Sequence, residues 1–350
     1  MATVEQPHDY YNLPPAYLGF CGFLRLQAGT VLAGGGVDAY SHRNMTVRAT
    51  SADMNTTQEV TKPDIIDSRF DKTVYQLGPK LVEGSISFPA VYDIQGGVNI
   101  VEALYRYAVT RKAIDGLISP FALDVKYAVS GGQNDGSFVY MGCIANTFKF
   151  AVTNEDVVNI NVDIIGLVRE QSTEELAPPS AAELTNTRIV TWNDARVELV
   201  LDESRTGGGL ITIGGEYVRS FECNINNAAE RFYTLNKQLF PQAVAPTKRD
   251  VDGSLELLGR HRDLADIAWT NENFCSESSQ IKFGFVPKST TADCNSTFGV
   301  TLPNCIFEIE EMSLGVGLFV TTVNWHSLPA AGNTTDDPLL ESLNSTVFNY

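Results

Sequence analysis

Apolar and polar residues alternate along several stretches of this chain, and that alternation predicts strands. Val158, Ile160, Val162 and Ile164 are interleaved with Asn159, Asn161 and Asp163, the period-two pattern of a strand with one buried and one wet face. Val316, Leu318 and Val320 repeat it at an offset of 158 (316 minus 158). Asp124-Val125-Lys126-Tyr127-Ala128-Val129 and Gln280-Ile281-Lys282-Phe283-Gly284-Phe285 match in character position by position, with the lysine outward in both. The turn Asn134-Asp135-Gly136 leads into a strand over residues 138–152, which predicts a hairpin. One stretch changes period. Val98, Val101, Leu104, Tyr105 and Ala108 recur at helical spacing and leave Glu102, Arg106 and Arg111 on the outer face. Leu264, Ile267, Ala268 and Phe274 stand at the corresponding place further on.

These elements occur in the same order twice. Gly34-Gly35-Gly36-Val37 returns as Gly207-Gly208-Gly209-Leu210 at an offset of 173 (207 minus 34), which also carries Phe23-Leu24-Arg25-Leu26 onto Arg196-Val197-Glu198-Leu199. A shift of 169 lays Gly84-Ser85-Ile86-Ser87-Phe88 over Gly253-Ser254-Leu255-Glu256-Leu257 (253 minus 84). The drift in offset is what insertions in loops produce. The predicted fold class is therefore mainly β: two similar antiparallel β-sandwich or partly open barrel domains, each with one flanking helix. The predicted boundaries are an N-terminal arm at 1–17, a first repeat at 18–170, a linker at 171–187, a second repeat at 188–328 and a flexible tail at 329–350. The linker assignment rests on the acidic, proline-bearing run Ser172 to Ser180, which has no periodic apolar residues.

Charge narrows the function. Asp and Glu number 42 against 25 Lys and Arg, a formal net charge of −17. An acidic surface repels phosphate, so a protein that grips nucleic acid is disfavoured, whereas a surface that nucleic acid must pass without sticking is compatible. Met1 to Gln6 carries no cationic leader and no apolar run reaches the ~18 residues of a membrane span, so a cytoplasmic product is expected. Cys21, Cys143, Cys223, Cys275, Cys294 and Cys305 form no metal-binding spacing and are read as buried thiols, with a Cys294–Cys305 disulfide the minority alternative.

Catalytic readings are weak. His8, His42, His261 and His326 are scattered, and the glycine triplets are not followed by Lys-Ser or Lys-Thr, so hairpin turns are expected there and not phosphate loops. Glu308 and Glu310 alternate with Phe307 and Ile309, which an outward strand face explains. The sequons at Asn44, Asn55, Asn295, Asn333 and Asn344 are read as chance in an Asn- and Thr-rich chain. No enzyme, cofactor or metal is expected.

Thr73 to Pro89, with the Gly84-Ser85 strand at its end, resembles the loop and strand of tail tube proteins of long-tailed bacteriophages. So does Ser220 to Asn227 followed by Gly253-Ser254-Leu255-Glu256-Leu257. The resemblance covers roughly residues 18–170 and 188–328 and lies in the order of elements more than in identity. It implies a structural virion protein, assembled in the host cytoplasm into hexameric rings stacked as a conduit for genome ejection. With two tube domains per chain, three copies supply 3 × 2 = 6 domains, so a trimeric, pseudo-sixfold ring carrying 3 × −17 = −51 charges is expected. Implied partners are further copies of itself, the tape measure, the tail terminator and baseplate or tail tip proteins, with double-stranded DNA passing through unbound and no membrane insertion. Asn159, Asn161 and Asp163 are candidates for the lumen face. Asp64, Arg69, Asp71 and Lys72, in a long segment from Asn55 to Lys80, are candidates for inter-ring contact. Phe232, Tyr233, Phe240 and Lys248, in the counterpart from Asn227 to Asp250, are candidates for burial in the assembly.

The alternatives are a baseplate hub or distal tail ring protein, and a duplicated β-sandwich adhesin or carbohydrate-binding protein. The last needs Trp192, Trp269 and Trp325 to line a groove, whereas their positions predict burial.

Overall fold

The computed structural model describes residues 24–28, 41–47, 49–61, 76–92, 94–95, 98–109, 120–126, 137–171, 188–202, 210–233, 239–241, 243–259, 279–287, 297–313 and 320–328. The strands in chain order are β1 (Leu24–Ala28), β2 (Ser41–Val47), β3 (Ser51–Thr61), β4 (Gln76–Pro89), β5 (Ile94–Gln95), β6 (Val98–Asn99), β7 (Phe121–Lys126), β8 (Ser137–Thr153), β9 (Asn159–Gly166) and β10 (Val168–Gln171). They continue with β11 (Ala195–Asp202), β12 (Leu210–Ile213), β13 (Val218–Asn226), β14 (Ala229–Phe232), β15 (Ala243–Pro246), β16 (Asp250–Leu258), β17 (Gln280–Phe285), β18 (Phe298–Leu302), β19 (Cys305–Ser313) and β20 (Val320–Ser327). One helix, α1 (Ile100–Val109), lies among the described residues.

The protein is mainly β, with antiparallel pairing throughout. A 12-stranded sheet runs β19-β20-β16-β13-β8-β7-β1-β2, and β9 joins β8 to β4, which carries β3 on its far side. A 4-stranded sheet, β12-β11-β17-β18, lies apart from it. Two strand orders therefore each occur twice. The run β3-β4-β9-β8 has the same order as β13-β16-β20-β19, and β2-β1-β7-β8 has the same order as β12-β11-β17-β18. Strand β8 serves both runs of the first half because it is long, 17 residues, with the left-handed Gly142 (φ 62°) and a register shift between Ala145 and Thr147 midway.

Alternation dictates which side of each strand is buried. Ile160, Val162 and Ile164 point inward from β9, and Phe221, Cys223 and Ile225 from β13. The inward residues meet in one continuous core from Met54 to Trp325 that draws on both halves of the chain. Aromatic rings make the crossing: Phe150 of β8 lies 5.1 Å from Phe283, 6.2 Å from Phe298 and 6.3 Å from Phe221, and Phe221 stacks on Trp325 at 5.9 Å. Tyr105 of α1 packs edge-on to Phe148 at 5.6 Å and to Phe298 at 5.7 Å, so the helix of the first half seals the sheet of the second.

Helix α1 buries Val101, Leu104, Tyr105 and Ala108 of the predicted stripe, whereas Val98 stands in β6 ahead of the helix, and it pairs Glu102 with Arg106 at 2.7 Å outside. Asn99 caps it. The Asn99 carboxamide oxygen accepts from the Val101 N–H at 2.8 Å, and its NH2 donates to Val91 O at 2.7 Å.

Three thiols of the described residues, Cys143, Cys223 and Cys305, are free and buried. Cys143 donates to Tyr140 O and Cys305 to Leu302 O, both at 3.4 Å, and each follows a left-handed residue, Gly142 or Asn304 (φ 52°). Burial pushes the Cys305 thiol up to about 12 and raises Cys143 and Cys223 as well. These three cysteines will not react with iodoacetamide at pH 8 in the folded protein and will react in urea, as read by mass spectrometry of the alkylated peptides.

Some sequence expectations need correction. The alternating strand opposite β16 is Val320–Ser327, which buries Thr321, Val323 and Trp325 and leaves Val320 on the wet side. The pairs Ile164↔Gly84 and Trp325↔Gly253 put the offset at 161, not 158, because alternation sets the face of a strand and its neighbours set the register. The segment from Asn55 to Lys80 begins and ends in strand, with β3 and β4 paired as far out as Thr61↔Gln76, and residues 62–75 lie outside the described residues. Trp192 is 45% exposed, whereas Trp325 is fully buried between β16 and β19. The arm, the linker up to residue 187, the tail, both glycine triplets, the second helical stripe, Trp269, Cys21, Cys275 and Cys294 lie outside the described residues.

Candidate assembly interface

Strand β13 pairs with β8 from Asn226↔Thr147 to Ser220↔Thr153, so the two four-strand runs meet edge to edge inside one chain. On the buried side Phe148, Phe150 and Val152 stand opposite Ile225, Cys223 and Phe221. On the wet side Lys149 reaches diagonally to Glu222 at 2.6 Å. Each partner of that pair is about two-fifths exposed, so its worth is ~1 kcal/mol or less and its main effect is on register.

Asn227, the residue after β13, locks the joint. It is fully buried; its NH2 donates to Ala108 O at 2.9 Å and Ala145 O at 3.0 Å, while its oxygen accepts from Arg249 Nε at 3.2 Å. Arg249 also donates to Val109 O at 2.6 Å, placing a cation at the C-terminus of α1. Asn227→Ala will lower stability by about 2–3 kcal/mol in urea titrations, since the buried carbonyls of Ala108 and Ala145 then lose their donor. Sequence pattern alone did not single out Asn227 as a polar core residue, because Asn at a strand end also reads as a turn former.

Beyond Asn227 the chain forms the β14–β15 hairpin, which lies against the first half. Ala229 N donates to Asn146 Oδ1 at 2.7 Å, Arg231 Nη2 to Glu83 Oε2 at 2.9 Å and to Val82 O at 3.2 Å, and Lys80 N to Leu239 O at 2.7 Å. Val244 closes a small apolar cluster with Ile144 and Leu167, against which Ile165, Val168 and Ala229 pack. The candidate residues of this segment divide. Phe240 lies under the Lys80 ammonium at 5.0 Å, within the chain, while Phe232 and Tyr233 are 48% and 41% exposed. Lys248 is exposed and pairs with Asp250 at 2.8 Å. Asp64, Arg69, Asp71 and Lys72 lie outside the described residues.

Among the described residues, β3 pairs only with β4 and β19 only with β20, so the joined runs end in two open edges. Their shared wet face carries Asn159, Asn161 and Asp163, all exposed. Thr147 donates to Asp163 across the strands at 2.5 Å. Asp53, Glu83, Glu222, Asp252, Glu256 and Glu308 occupy wet positions of the neighbouring strands, against the cations Lys149, Arg219 and Arg231, the last of which pairs with Glu83. That face is acidic.

Among the described residues no group of His, Cys, Asp and Glu is placed to hold a metal ion, and no helix is long and apolar enough to cross a membrane. Trp192 lines an open cavity of about 530 Å³ with Arg196, Glu198, Glu216 and Arg219, but the buried Trp325 does not join it.

The open edges β3 and β19 of this acidic, mainly β protein are places where a further strand can add. Residues 26–293 match the profile of the family described as phage tail tube protein, and the chain belongs to that family. It is thus a component of a virion tail, and its family is one of self-assembling structural subunits. No curated protein matches the chain.

Proposed function

We propose that this protein is the tail tube subunit of a long-tailed phage in which one chain carries two tube domains, residues 18–170 and 188–328, joined by a linker at 171–187. The observation that carries this reading is the β8–β13 joint: two runs of identical strand order, β3-β4-β9-β8 and β13-β16-β20-β19, meet edge to edge, with one open edge at each end. The hexameric ring that the resemblance to tail tube proteins implies then takes three copies, each supplying two such units, and its closure covers both open ends of the joined runs. Recurrence of the left-handed residue and the buried cysteine behind it, at Gly142-Cys143 and Asn304-Cys305, supports descent of the halves from one unit.

In this ring the wet face lines the bore. Asn159, Asn161 and Asp163 then face the DNA, and the carboxylates beside them keep the duplex from adhering as it leaves for the host. The apolar face packs under α1 and the second layer. Exposed Phe232 and Tyr233, and the segment with Asp64, Arg69, Asp71 and Lys72, serve contacts between rings. Assembly takes place in the host cytoplasm, and the tape measure, terminator and baseplate or tip proteins bound the tube.

Negative-stain microscopy of the concentrated protein is expected to show tubes with a central channel and threefold rings in end view. Single rings that never stack point to a hub or distal ring protein, and monomers under all conditions overturn the reading.

A further inference from the structure

Resting on the tube reading, we infer that β3 of one copy pairs with β19 of the next in a register that copies the internal β8–β13 joint, with the β3–β4 hairpin stem laid on Leu328. The equivalence of strands is fixed by pairing. Met54↔Gly84 and Cys223↔Gly253 carry β3 onto β13 at 169 (223 minus 54). Strand β8 maps to β19 through the strand beside each: Thr147↔Asp163↔Ser85 corresponds to Glu308↔Asn324↔Ser254, and Lys149↔Asn161↔Ser87 to Glu311↔Thr322↔Glu256. Transferring Asn226↔Thr147, Asn224↔Lys149 and Glu222↔Ala151 then yields Thr57↔Glu308, Asn55↔Glu311 and Asp53↔Ser313 between copies.

An independent observation concerns exposure. Inside the chain, the pair Ala229↔Pro246 starts the hairpin that covers Leu167, which is 6% exposed. The same offset of 169 makes Val60↔Leu77 the counterpart pair, and these residues are 49% and 51% exposed. Leu328 is the counterpart of Leu167 (167 plus 161), each the residue after its strand: Leu167 N donates to Met141 O, one residue before the left-handed Gly142, and Leu328 N to the carbonyl of the left-handed Asn304 itself. Leu328 is 45% exposed. A pair of large apolar residues without a cover and a leucine without its cover are thus left at the two ends of the chain's joined runs, in the places that touch inside it. A second copy supplies both.

The two joints differ in charge: at the positions that Lys149 and Glu222 hold in the internal joint, the transferred register sets Glu311 and Asp53, two acids.

Full-length Thr57→Cys/Glu308→Cys protein, oxidised after assembly, is expected to show covalent links between copies, with the two cysteine peptides joined in mass spectra. Ser51→Cys/Glu308→Cys is not expected to link. Leu328→Asp is expected to abolish assembly with an unchanged melting temperature, because the leucine is exposed in the single chain. Glu311→Lys is expected to lower the protein concentration needed for assembly by roughly three- to tenfold, the reach of one partly exposed ion pair. Glu155→Lys, the same charge change on an exposed turn, is expected to lower it less. Assembled particles that fail to link at Thr57 and Glu308, or that link at Ser51 and Glu308, overturn the register while leaving the tube reading intact. Equal effects of Glu311→Lys and Glu155→Lys, or unimpaired assembly of Leu328→Asp, also overturn it. Protein that never assembles overturns the tube reading and this inference with it.

Discussion

Phe150→Ala will lower the unfolding free energy by about 3–5 kcal/mol, the cost of emptying a fully buried aromatic site. The ring contributes more than its own area because it touches Phe221, Phe283 and Phe298, all from the second half of the chain, while its strand belongs to the first. A loss of that size is a large share of the 5–15 kcal/mol of a typical domain. The physical point is coupling. If the halves share one core, urea unfolding followed by tryptophan fluorescence and by far-ultraviolet circular dichroism will give coincident curves, both shifted to lower urea in the variant. Two separated transitions, with only the first shifted by the substitution, would show that the halves are held by separate cores.

Gly253→Val will cost at least about 3 kcal/mol and will damage the β13–β16–β20 region first. A Cβ at Gly253 would stand 2.0 Å from Glu222 O and 2.5 Å from Trp325 Cζ2, a strand carbonyl on one side and a fully buried indole on the other. Neither can give way, since β13 is pinned by β8 and Trp325 sits against Phe221. Gly84→Val meets the same obstacle, Asp53 O at 2.1 Å, but there the obstructing strand is the open-edged β3. That variant is expected to lose less stability and more assembly. Thermal melts and sedimentation of both variants check the contrast; an equal loss of stability would mean that β3 is held as firmly as β13.

Alternation and spacing made much of the fold legible. The β9 pattern from Asn159 onward, the Gly-Ser strands and the α1 stripe each stand where their periodicity places them, because a half-buried strand or helix must segregate its side chains by face. The polar edge strand β3 escaped this reading: Ser51, Asp53, Asn55 and Thr57 fill its exposed side, and so polar a segment reads as loop until β4 is seen beside it. The same ambiguity hid Asn227, Arg231 and Arg249, whose partners are more than twenty positions away or in the other half of the chain.

The amino-acid order by itself determined the class of fold, the acidic character and the wet face that carries Asn159, Asn161 and Asp163, since these follow from local periodicity and charge. Only the tertiary structure decided that the halves are merged through β8 and β13 into one core, and that Val60, Leu77 and Leu328 are left uncovered. Register and exposure depend on which distant segment lies alongside, and a one-dimensional pattern of polarity holds no record of its neighbours.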